Sequence, residues 1–178
     1  MATGLNFGCG RHPQEGWINA DLRKGAGIQI TGDIRDGLPL DDDSLDYAAS
    51  MHALPMIGYR DLVPVLDELR RVLRPGATLR LGLPDLDKGI DAYRRGDASY
   101  FLVPDEDERS LGGKFIVHML WYGWSVTLFT TDFAEAVLRR AGFREVRHCQ
   151  FGQTASGVQR IVELDNREAE SLFVEAVK

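Results

Sequence analysis

The sequence predicts an α/β protein built on a mostly parallel sheet. Short apolar runs alternate with amphipathic segments along most of the chain, a pattern typical of a sheet with helices on both faces. The clearest helix spans 61–73, where apolar residues recur every three or four positions, and Pro75-Gly76 ends it. The run 77–83 follows with alternating leucines and predicts a strand. We therefore expect ligands to bind beyond the carboxyl ends of the strands.

The same patterns predict the remaining elements. Further strands are expected at 3–8, 17–20, 27–31, 45–51, 143–151 and 171–178, and further helices at 87–95, 111–122 and 131–141. The passage from Gly10 to Trp17 is short for a parallel crossover, which usually takes a dozen residues or more including its helix. Either the first helix is about one turn long or the second strand is displaced. Residues 152–170 fit a strand or a short helix.

Composition limits the classes of function. The 178 residues fit one domain over 1–178, with a helical and aromatic insertion at about 86–128. A net charge of −6 argues against nucleic acid as the main partner, because proteins that bind it carry basic faces. No apolar run approaches the roughly 20 residues of a membrane span. With no basic and apolar leader at the N-terminus, we expect a cytoplasmic location.

Neither the cysteines nor the densest run of acids predicts a metal site. Cys9 and Cys149 are far apart and form neither a disulfide framework nor a zinc pattern. Cys9 lies between two glycines, which favours a small residue in a tight turn over a nucleophile. The acids at 41–43 lack the alternating ligands and glycine of a calcium loop, so a solvated turn is the better interpretation.

A glycine turn and an acid predict a nucleoside site. Gly8 and Gly10 follow the first predicted strand, and without Cβ atoms they let a ligand approach the backbone. Asp21 ends the second strand, where a carboxylate accepts hydrogen bonds from both ribose hydroxyls. After the third strand, Asp33 is placed to bind an adenine amino group, and Ile34 to cover the ring. The alternative for Asp33 is a cap of a turn or helix.

Candidates for catalysis and substrate binding lie farther along the chain. His52 follows the fourth strand, and its imidazole is the best candidate for a base; His118, on an apolar helix face, is a second candidate. The alternative is a structural histidine, packed or capping a helix start at His52 and packed in the core at His118. Asp85 follows the fifth strand and would orient substrate or cap a helix. The aromatic run that contains Trp121 and Tyr122 would wall a substrate pocket or simply cover the core.

Taken together and in order, these motifs resemble class I S-adenosylmethionine-dependent methyltransferases, in particular a compact subgroup of small bacterial-type enzymes. The motifs are Leu5-Asn6-Phe7-Gly8-Cys9-Gly10, Gly16 to Asp21, Gly32-Asp33-Ile34, Arg71 to Gly76 and Ala141-Gly142-Phe143. The resemblance covers nearly the whole chain. It implies a seven-stranded sheet with an antiparallel last strand, and it accounts for the short first crossover.

The resemblance also implies roles for individual residues. S-adenosylmethionine would contact Phe7, Gly8, Gly10, Asp21, Leu22, Asp33, Ile34 and Met51. Met51 and His52 would lie between cofactor and substrate. The chain departs from the family's pattern where Arg11-His12 replaces a third glycine, where Asn6 replaces a common acid, and where Pro55-Met56 replaces Glu-His.

Three functions follow as hypotheses. The first is methyl transfer to a small-molecule acceptor. The second is a catalytically silent S-adenosylmethionine-binding protein that acts through a partner. The third, a nicotinamide-dependent oxidoreductase, is disfavoured because Pro13 stands where the dinucleotide motif has its third glycine and Asp21 comes too early after Gly8. We also expect a small-molecule substrate and no association with a membrane. A homo-oligomer is expected as well, in which a second subunit fills the open substrate side.

Overall fold

The protein, described here over residues 2–178 by a computed structural model, contains a seven-stranded sheet. The strands are β1 Gly4–Phe7, β2 Ile18–Asp21, β3 Ile30–Thr31, β4 Leu45–Met51, β5 Leu73–Pro84, β6 Glu145–Cys149 and β7 Ser171–Val177. Their spatial order is β3-β2-β1-β4-β5-β7-β6. Strands β1 to β5 are parallel, whereas β7 runs antiparallel to both β5 and β6. The α/β class and the antiparallel last strand are confirmed.

Four α-helices connect the strands: α1 Tyr59–Val72, α2 Leu86–Arg95, α3 Leu111–Leu120 and α4 Thr131–Arg140. Short 3₁₀ turns occur at Ile34–Asp36, Leu54–Met56, Ala98–Tyr100, Trp121–Gly123, Gln159–Val162 and Glu168–Glu170. Helix α4 begins where the Thr130 hydroxyl accepts the Phe133 N–H, and α2 ends at Gly96 in the left-handed conformation. Within residues 2–178, no helix has the length and apolar content needed to cross a membrane.

Helices α1 and α4 cover one face of the sheet. The buried side of α1 consists of Leu62, Val65, Leu66, Leu69 and Val72, which recur at the spacing that predicts the helix. They pack with Leu79 and Leu81 of β5 and with Val137 and Leu138 of α4 in the main core. Full burial of one such leucine contributes about 1.5–3 kcal/mol. This packing fixes the sheet whose edge carries the candidate site.

The other face is covered, across β1 and β4, by the connection between β6 and β7 rather than by a helix. Ile161 packs there against Tyr47 and Trp17. Arg80 of β5 is fully buried beneath this connection and donates to Asp165 at 2.5 and 2.6 Å and to Glu175 at 2.9 Å. In this region the cover is an irregular segment with two 3₁₀ turns rather than an α-helix, and the buried ion pair ties it to the sheet.

The connection from β1 to β2 contains no helix. Strand β2 pairs directly with β1, Leu5 opposite Ile18, so the second strand is not displaced either. Instead, the Asn19 side chain accepts from the Gln14 N–H at 2.8 Å and from the Asn6 amide at 2.9 Å, and donates to the Gln14 carbonyl at 3.0 Å. Side-chain amides thus satisfy the backbone groups that a helix would have satisfied. Neither alternative expected from the spacing holds.

Some element boundaries differ from the sequence-based predictions. Strand β5 begins at Leu73, directly after α1, and runs through Pro75-Gly76, which was expected to separate helix from strand. Leu73 pairs with Leu45, and a register shift follows before the ladder resumes. Strand β3 has only two residues. The segment 152–170 contains two 3₁₀ turns.

Candidate functional site

The carboxyl ends of β1, β2 and β4 place the glycine turn, Asp21 and His52 at one edge of the sheet. The turn after β1 is fixed by the Gly8 N–H, which donates to the Ala20 carbonyl at 2.8 Å. The Gly10 N–H donates to Asp21 Oδ2 at 2.8 Å, and the Arg23 N–H donates to Asp21 Oδ1 at 3.0 Å. Each carboxylate oxygen keeps acceptor capacity, so the partly exposed Asp21 remains able to accept from a vicinal diol.

The two glycines of the turn have different physical reasons to lack a side chain. Both have positive φ, +68° at Gly8 and +56° at Gly10. A Cβ on Gly8 would lie 2.2 Å from the Ala53 Cβ, so Gly8 makes room for the loop after β4. A Cβ on Gly10 would meet no atom within 4 Å. The Cβ direction of Gly10 therefore opens onto free space beside the Asp21 carboxylate, whereas that of the partly exposed Gly8 points at Ala53.

The other residues expected at the cofactor occupy three environments. Leu22 is 65% exposed beside Asp21, which leaves an apolar surface free at the edge. The side chains of Phe7 and Ile34 are buried in the main core, so Ile34 presents no ring-covering surface there. The Asp33 carboxylate accepts from Arg35 Nε at 3.0 Å and Nη2 at 2.5 Å, and these hydrogen bonds lower its pKa.

His52 follows β4 with a left-handed backbone, φ +57°. Its N–H donates to the Gly82 carbonyl at 2.8 Å, and its Nε2 lies 2.7 Å from the Ser171 hydroxyl at the start of β7. Burial, together with the Arg167 charge, lowers the pKa of His52 to about 4, so the imidazole is neutral at physiological pH. Met51 lies beside it, and its sulfur occupies the space that a Cβ on Gly82 would need.

His118 is buried, and both ring nitrogens have partners. Nδ1 accepts the Leu102 N–H at 3.1 Å, which places the proton on Nε2, 3.1 Å from Glu170 Oε2. Arg167 approaches the other Glu170 oxygen at 3.4 Å. Burial alone would raise the pKa of Glu170, but the His118 hydrogen bond and the Arg167 charge lower it overall. His118 therefore orders Glu170 and the loop at Leu102.

The three residues expected to bind substrate lie near the same edge with different neighbours. Asp85 caps α2, where Oδ1 accepts the Asp87 N–H at 3.0 Å and the Lys88 N–H at 3.2 Å. The ring of Trp121 lies under the Arg167 guanidinium, 4.9 Å from its Cζ. Tyr122 is half exposed and donates to Asp107 Oδ2 at 2.6 Å.

Two residues of this region, Ser171 and Arg23, had no role predicted from the sequence, and Trp124 was predicted only as part of the aromatic run. Ser171 reaches His52 only because β7 runs antiparallel beside β5. The Arg23 guanidinium lies 5.5 Å from the ring centre of Trp124, which links the end of β2 to the aromatic run. The aromatic density of 121–124 was a usable signal for Trp124, whereas no local pattern marks Ser171 or Arg23.

Cys9 lies within the glycine turn as a buried free thiol. Burial, reinforced by the nearby Asp21 charge, raises the pKa of the Cys9 thiol. The thiol therefore stays protonated at neutral pH, which disfavours a nucleophilic role.

The edge fits an adenosyl cofactor. The observations are the open cradle at Gly10, a carboxylate with acceptor capacity at Asp21, and the exposed apolar surface of Leu22. Gly10 would let the cofactor approach the backbone, Asp21 would accept hydrogen bonds from the ribose hydroxyls, and Leu22 would cover the adenine ring. The Asp33 carboxylate fits an adenine amino group only if Arg35 shares or releases it.

Comparisons with known proteins agree with this geometry. Residues 6–81 match a family described as a methyltransferase domain. A S-adenosylmethionine-dependent methyltransferase of Thermotoga maritima, titled a possible histamine N-methyltransferase, has a TM-score of 0.64 at 19% identity over 100% of this chain and 83% of its own. One from Archaeoglobus fulgidus has a TM-score of 0.63 at 14% identity over 99% and 86%.

A third structure is a complex from Haloferax volcanii between the Trm112 methyltransferase activator and its partner enzyme. It matches at a TM-score of 0.57 and 16% identity over 99% of this chain and 81% of that chain. The sequence has no match among curated proteins. The strand order, the glycine turn with its acid and the methyltransferase-domain match lead to one conclusion. The chain has the fold of S-adenosylmethionine-dependent methyltransferases, and its residues 6–81 match the methyltransferase-domain family.

Proposed function

We propose that the protein transfers a methyl group to a small molecule bound between the ends of β1 and β4 and the segment 121–127. The observation that carries this proposal is how that segment is anchored. The N–H groups of Val126 and Thr127 both donate to the Pro55 carbonyl, at 2.8 and 3.1 Å, and the Thr127 hydroxyl donates to the Ile57 carbonyl at 2.7 Å. The segment that carries the aromatic side chains is thereby tied to the loop that follows β4.

S-adenosylmethionine would supply a methyl group bound to a sulfonium sulfur. When the acceptor attacks the methyl carbon in line, the carbon–sulfur bond breaks and the rest of the cofactor departs as a neutral thioether. The chain's main task is therefore alignment, and positioning alone reaches effective molarities of roughly 10⁵ to 10⁸ M. Asp21 would hold the ribose hydroxyls, Gly10 would admit the cofactor to the backbone, and Leu22 would cover one face of the base. Asp33 would bind the adenine amino group through its outer carboxylate lone pairs.

His52 would contact the acceptor rather than deprotonate it. An imidazole with a pKa of about 4 is neutral but a weak base, so it accepts or donates a hydrogen bond without removing an alcohol proton efficiently. Its ring is oriented by Ser171. His118, through Glu170, would keep Arg167 beside Trp121 and so act as a positioning residue.

The acceptor class follows from this chemistry. A carboxylate, or an amine that binds in its neutral form after giving its proton to water, attacks a sulfonium without a base in the site, so either suits a neutral His52 better than a sugar hydroxyl does. Trp121 and Tyr122 would form an aromatic wall for such a molecule. Two structures with a similar fold are named for small amines: the possible histamine N-methyltransferase and a Haemonchus contortus phosphoethanolamine N-methyltransferase.

Cofactor placement is tested by calorimetric titration with S-adenosylhomocysteine. We expect Asp21→Ala to weaken binding by about 10- to 100-fold, because a hydrogen bond to a charged group contributes roughly 1.5–3 kcal/mol. Asp21→Asn, which keeps one carbonyl acceptor, should lose less. Asp41→Ala, in an exposed acidic turn, is the matched control and should bind like the unaltered protein. NAD serves as the second ligand and should not bind.

The acceptor is tested by supplying isotopically labelled S-adenosylmethionine with a metabolite library sorted into amines, carboxylates and alcohols. We expect label in an amine or carboxylate, with Asp21→Ala reducing transfer. Label in an alcohol would contradict the role given to His52. Cofactor binding without turnover on any acceptor would favour the silent, partner-dependent alternative.

We also propose a homo-oligomer, with a second subunit over the open side of the acceptor pocket, as an extension of this function. Light scattering of the purified protein should then give at least twice the 19.9 kDa chain mass. A monomer with full cofactor affinity and turnover would contradict it.

A further inference from the structure

Arg23 connects the carboxylate of Asp21 to the indole of Trp124. Its backbone N–H donates to Asp21 Oδ1 at 3.0 Å, and its guanidinium carbon lies 5.5 Å from the centre of the Trp124 ring. The backbone of Arg23 thus contacts the candidate ribose site, while its side chain contacts the aromatic segment. A shift of Asp21 or of Trp124 therefore has to be accommodated by the other residue.

The turn that carries Trp124 is held in an unfavourable backbone conformation. Three consecutive residues, Trp121, Tyr122 and Gly123, have φ values of +45°, +55° and +89°. Bulky residues rarely adopt positive φ, which costs roughly 1–3 kcal/mol each and persists only where surrounding contacts hold it. The contacts that hold it include those of Arg167 with Trp121 and of Arg23 with Trp124, together with the hydrogen bond from the Tyr122 hydroxyl to Asp107. The Arg23 guanidinium is thus one of the groups that restrain the indole of Trp124.

Two apolar surfaces flank Arg23 without covering one another. Leu22 is 65% exposed and Trp124 is 56% exposed. Exposed apolar side chains that group at a binding edge commonly mark surface that a ligand covers. A nucleoside held by Asp21 would lie beside both, so its binding would remove Leu22 and Trp124 from water together.

From these relationships we propose that Arg23 is a positioning residue that couples cofactor binding at Asp21 to the placement of Trp124 as a wall of the acceptor pocket. This inference rests on the proposed function, because it takes the cofactor to lie at Asp21. Fixing the Asp21 carboxylate on the ribose fixes the Arg23 backbone, and the Arg23 guanidinium then holds the indole. Conversely, a mobile Trp124 leaves the acceptor unaligned although the cofactor is bound.

The test is tryptophan emission during titration with S-adenosylhomocysteine, alongside calorimetry. The emission change due to Trp124 is the difference between the unaltered protein and Trp124→Phe, because Trp17 and Trp121 remain in both. We expect Arg23→Ala to lose most of that change and to weaken binding about 2- to 5-fold, the range of an exposed cation–π contact. Arg23→Lys, which keeps a cation, should recover part of both.

Arg140→Ala is the matched control, because Arg140 also covers an aromatic ring, that of Tyr59 at 6.0 Å, on the helix-covered side of the sheet. It should leave emission and affinity unchanged. In turnover assays, Arg23→Ala should lower kcat more than it raises the KM of the cofactor. An unaltered Trp124 emission change in Arg23→Ala overturns the inference.

Asp21→Ala separates the two proposals. If Asp21→Ala loses affinity while Arg23→Ala keeps both affinity and emission change, the inference fails and the cofactor site stands. If Asp21→Ala binds as tightly as the unaltered protein, the placement of the cofactor fails, and the inference fails with it. Thermal unfolding of Arg23→Ala should match the unaltered protein, because the side chain is exposed.

Discussion

The imidazole Nε2 of His52 lies 2.7 Å from the hydroxyl of Ser171; His52 directly follows β4, Ser171 begins β7, and these two strands do not pair. Strand β5 separates β4 from β7, and the His52 N–H is bound to the Gly82 carbonyl of that middle strand. The positive φ of His52 turns its side chain across the end of β5. The orientation of His52, which we propose to contact the acceptor, therefore depends on three strands at once.

The burial of His52 predicts a loss of stability in acid. Its pKa is about 4 in the folded protein and about 6.5 in an unfolded chain, so the unfolded chain binds the proton first. The stabilisation is complete above pH 6.5 and is lost as the pH falls toward 4, by at most about 3 kcal/mol. Urea unfolding at several pH values should show His52→Gln losing less stability over this interval than the unaltered protein. Equal pH dependence in the two would contradict this environment for His52.

Removing the Ser171 hydroxyl should affect turnover but not cofactor binding. Ser171→Ala deletes one hydrogen bond that orients the imidazole, and such a bond is worth about 1 kcal/mol, or roughly 5-fold in rate. We expect kcat to fall by about that factor while affinity for S-adenosylhomocysteine is unchanged. Ser171→Thr, which keeps a hydroxyl, should retain more activity. A parallel loss of cofactor affinity would assign Ser171 to the cofactor instead.

The two glycines of the turn should respond differently to alanine. Gly8→Ala brings a Cβ within 2.2 Å of the Ala53 Cβ and should cost about 2–3 kcal/mol of unfolding free energy. Adding Ala53→Gly should restore part of that loss. Gly10→Ala meets only open space and should cost about 1 kcal/mol, yet weaken S-adenosylhomocysteine binding because the cradle is filled. Normal binding by Gly10→Ala would place the cofactor elsewhere.

Breaking the buried ion pair should destabilise the cover of the second face. Arg80→Met leaves the carboxylates of Asp165 and Glu175 buried without a cation, which typically costs about 3–5 kcal/mol. Arg139→Ala removes an exposed pair with Glu135 and should change the unfolding free energy by less than about 0.5 kcal/mol. Urea unfolding compares the two variants. A similar small effect of both would mean that the segment over β5 does not depend on Arg80.

Local patterns predicted the elements well where one face is apolar throughout. Helix α1, Tyr59–Val72, follows from its leucine and valine spacing, and β4 was predicted with the bounds observed, because both bury a continuous apolar surface. The connection from β1 to β2 was mispredicted, since the hydrogen bonds of Asn19 depend on a neighbouring strand and not on local propensity. The cover of the second face was also missed, because Arg80 finds Asp165 from 85 residues away.

The same division applies to the site. The order of glycines, acids and strands along the chain determined the fold class, and through it predicted the cofactor and the edge at which ligands are expected to bind, because these signals lie in neighbouring residues and in the parallel connection of strands. Only the tertiary structure decided that the Cβ direction of Gly8 points at Ala53 whereas that of Gly10 opens onto free space. It likewise decided that the Asp33 carboxylate accepts hydrogen bonds from Arg35. It also decided the contacts of His52 with Ser171. These features depend on contacts between distant segments, for which local periodicity carries no signal.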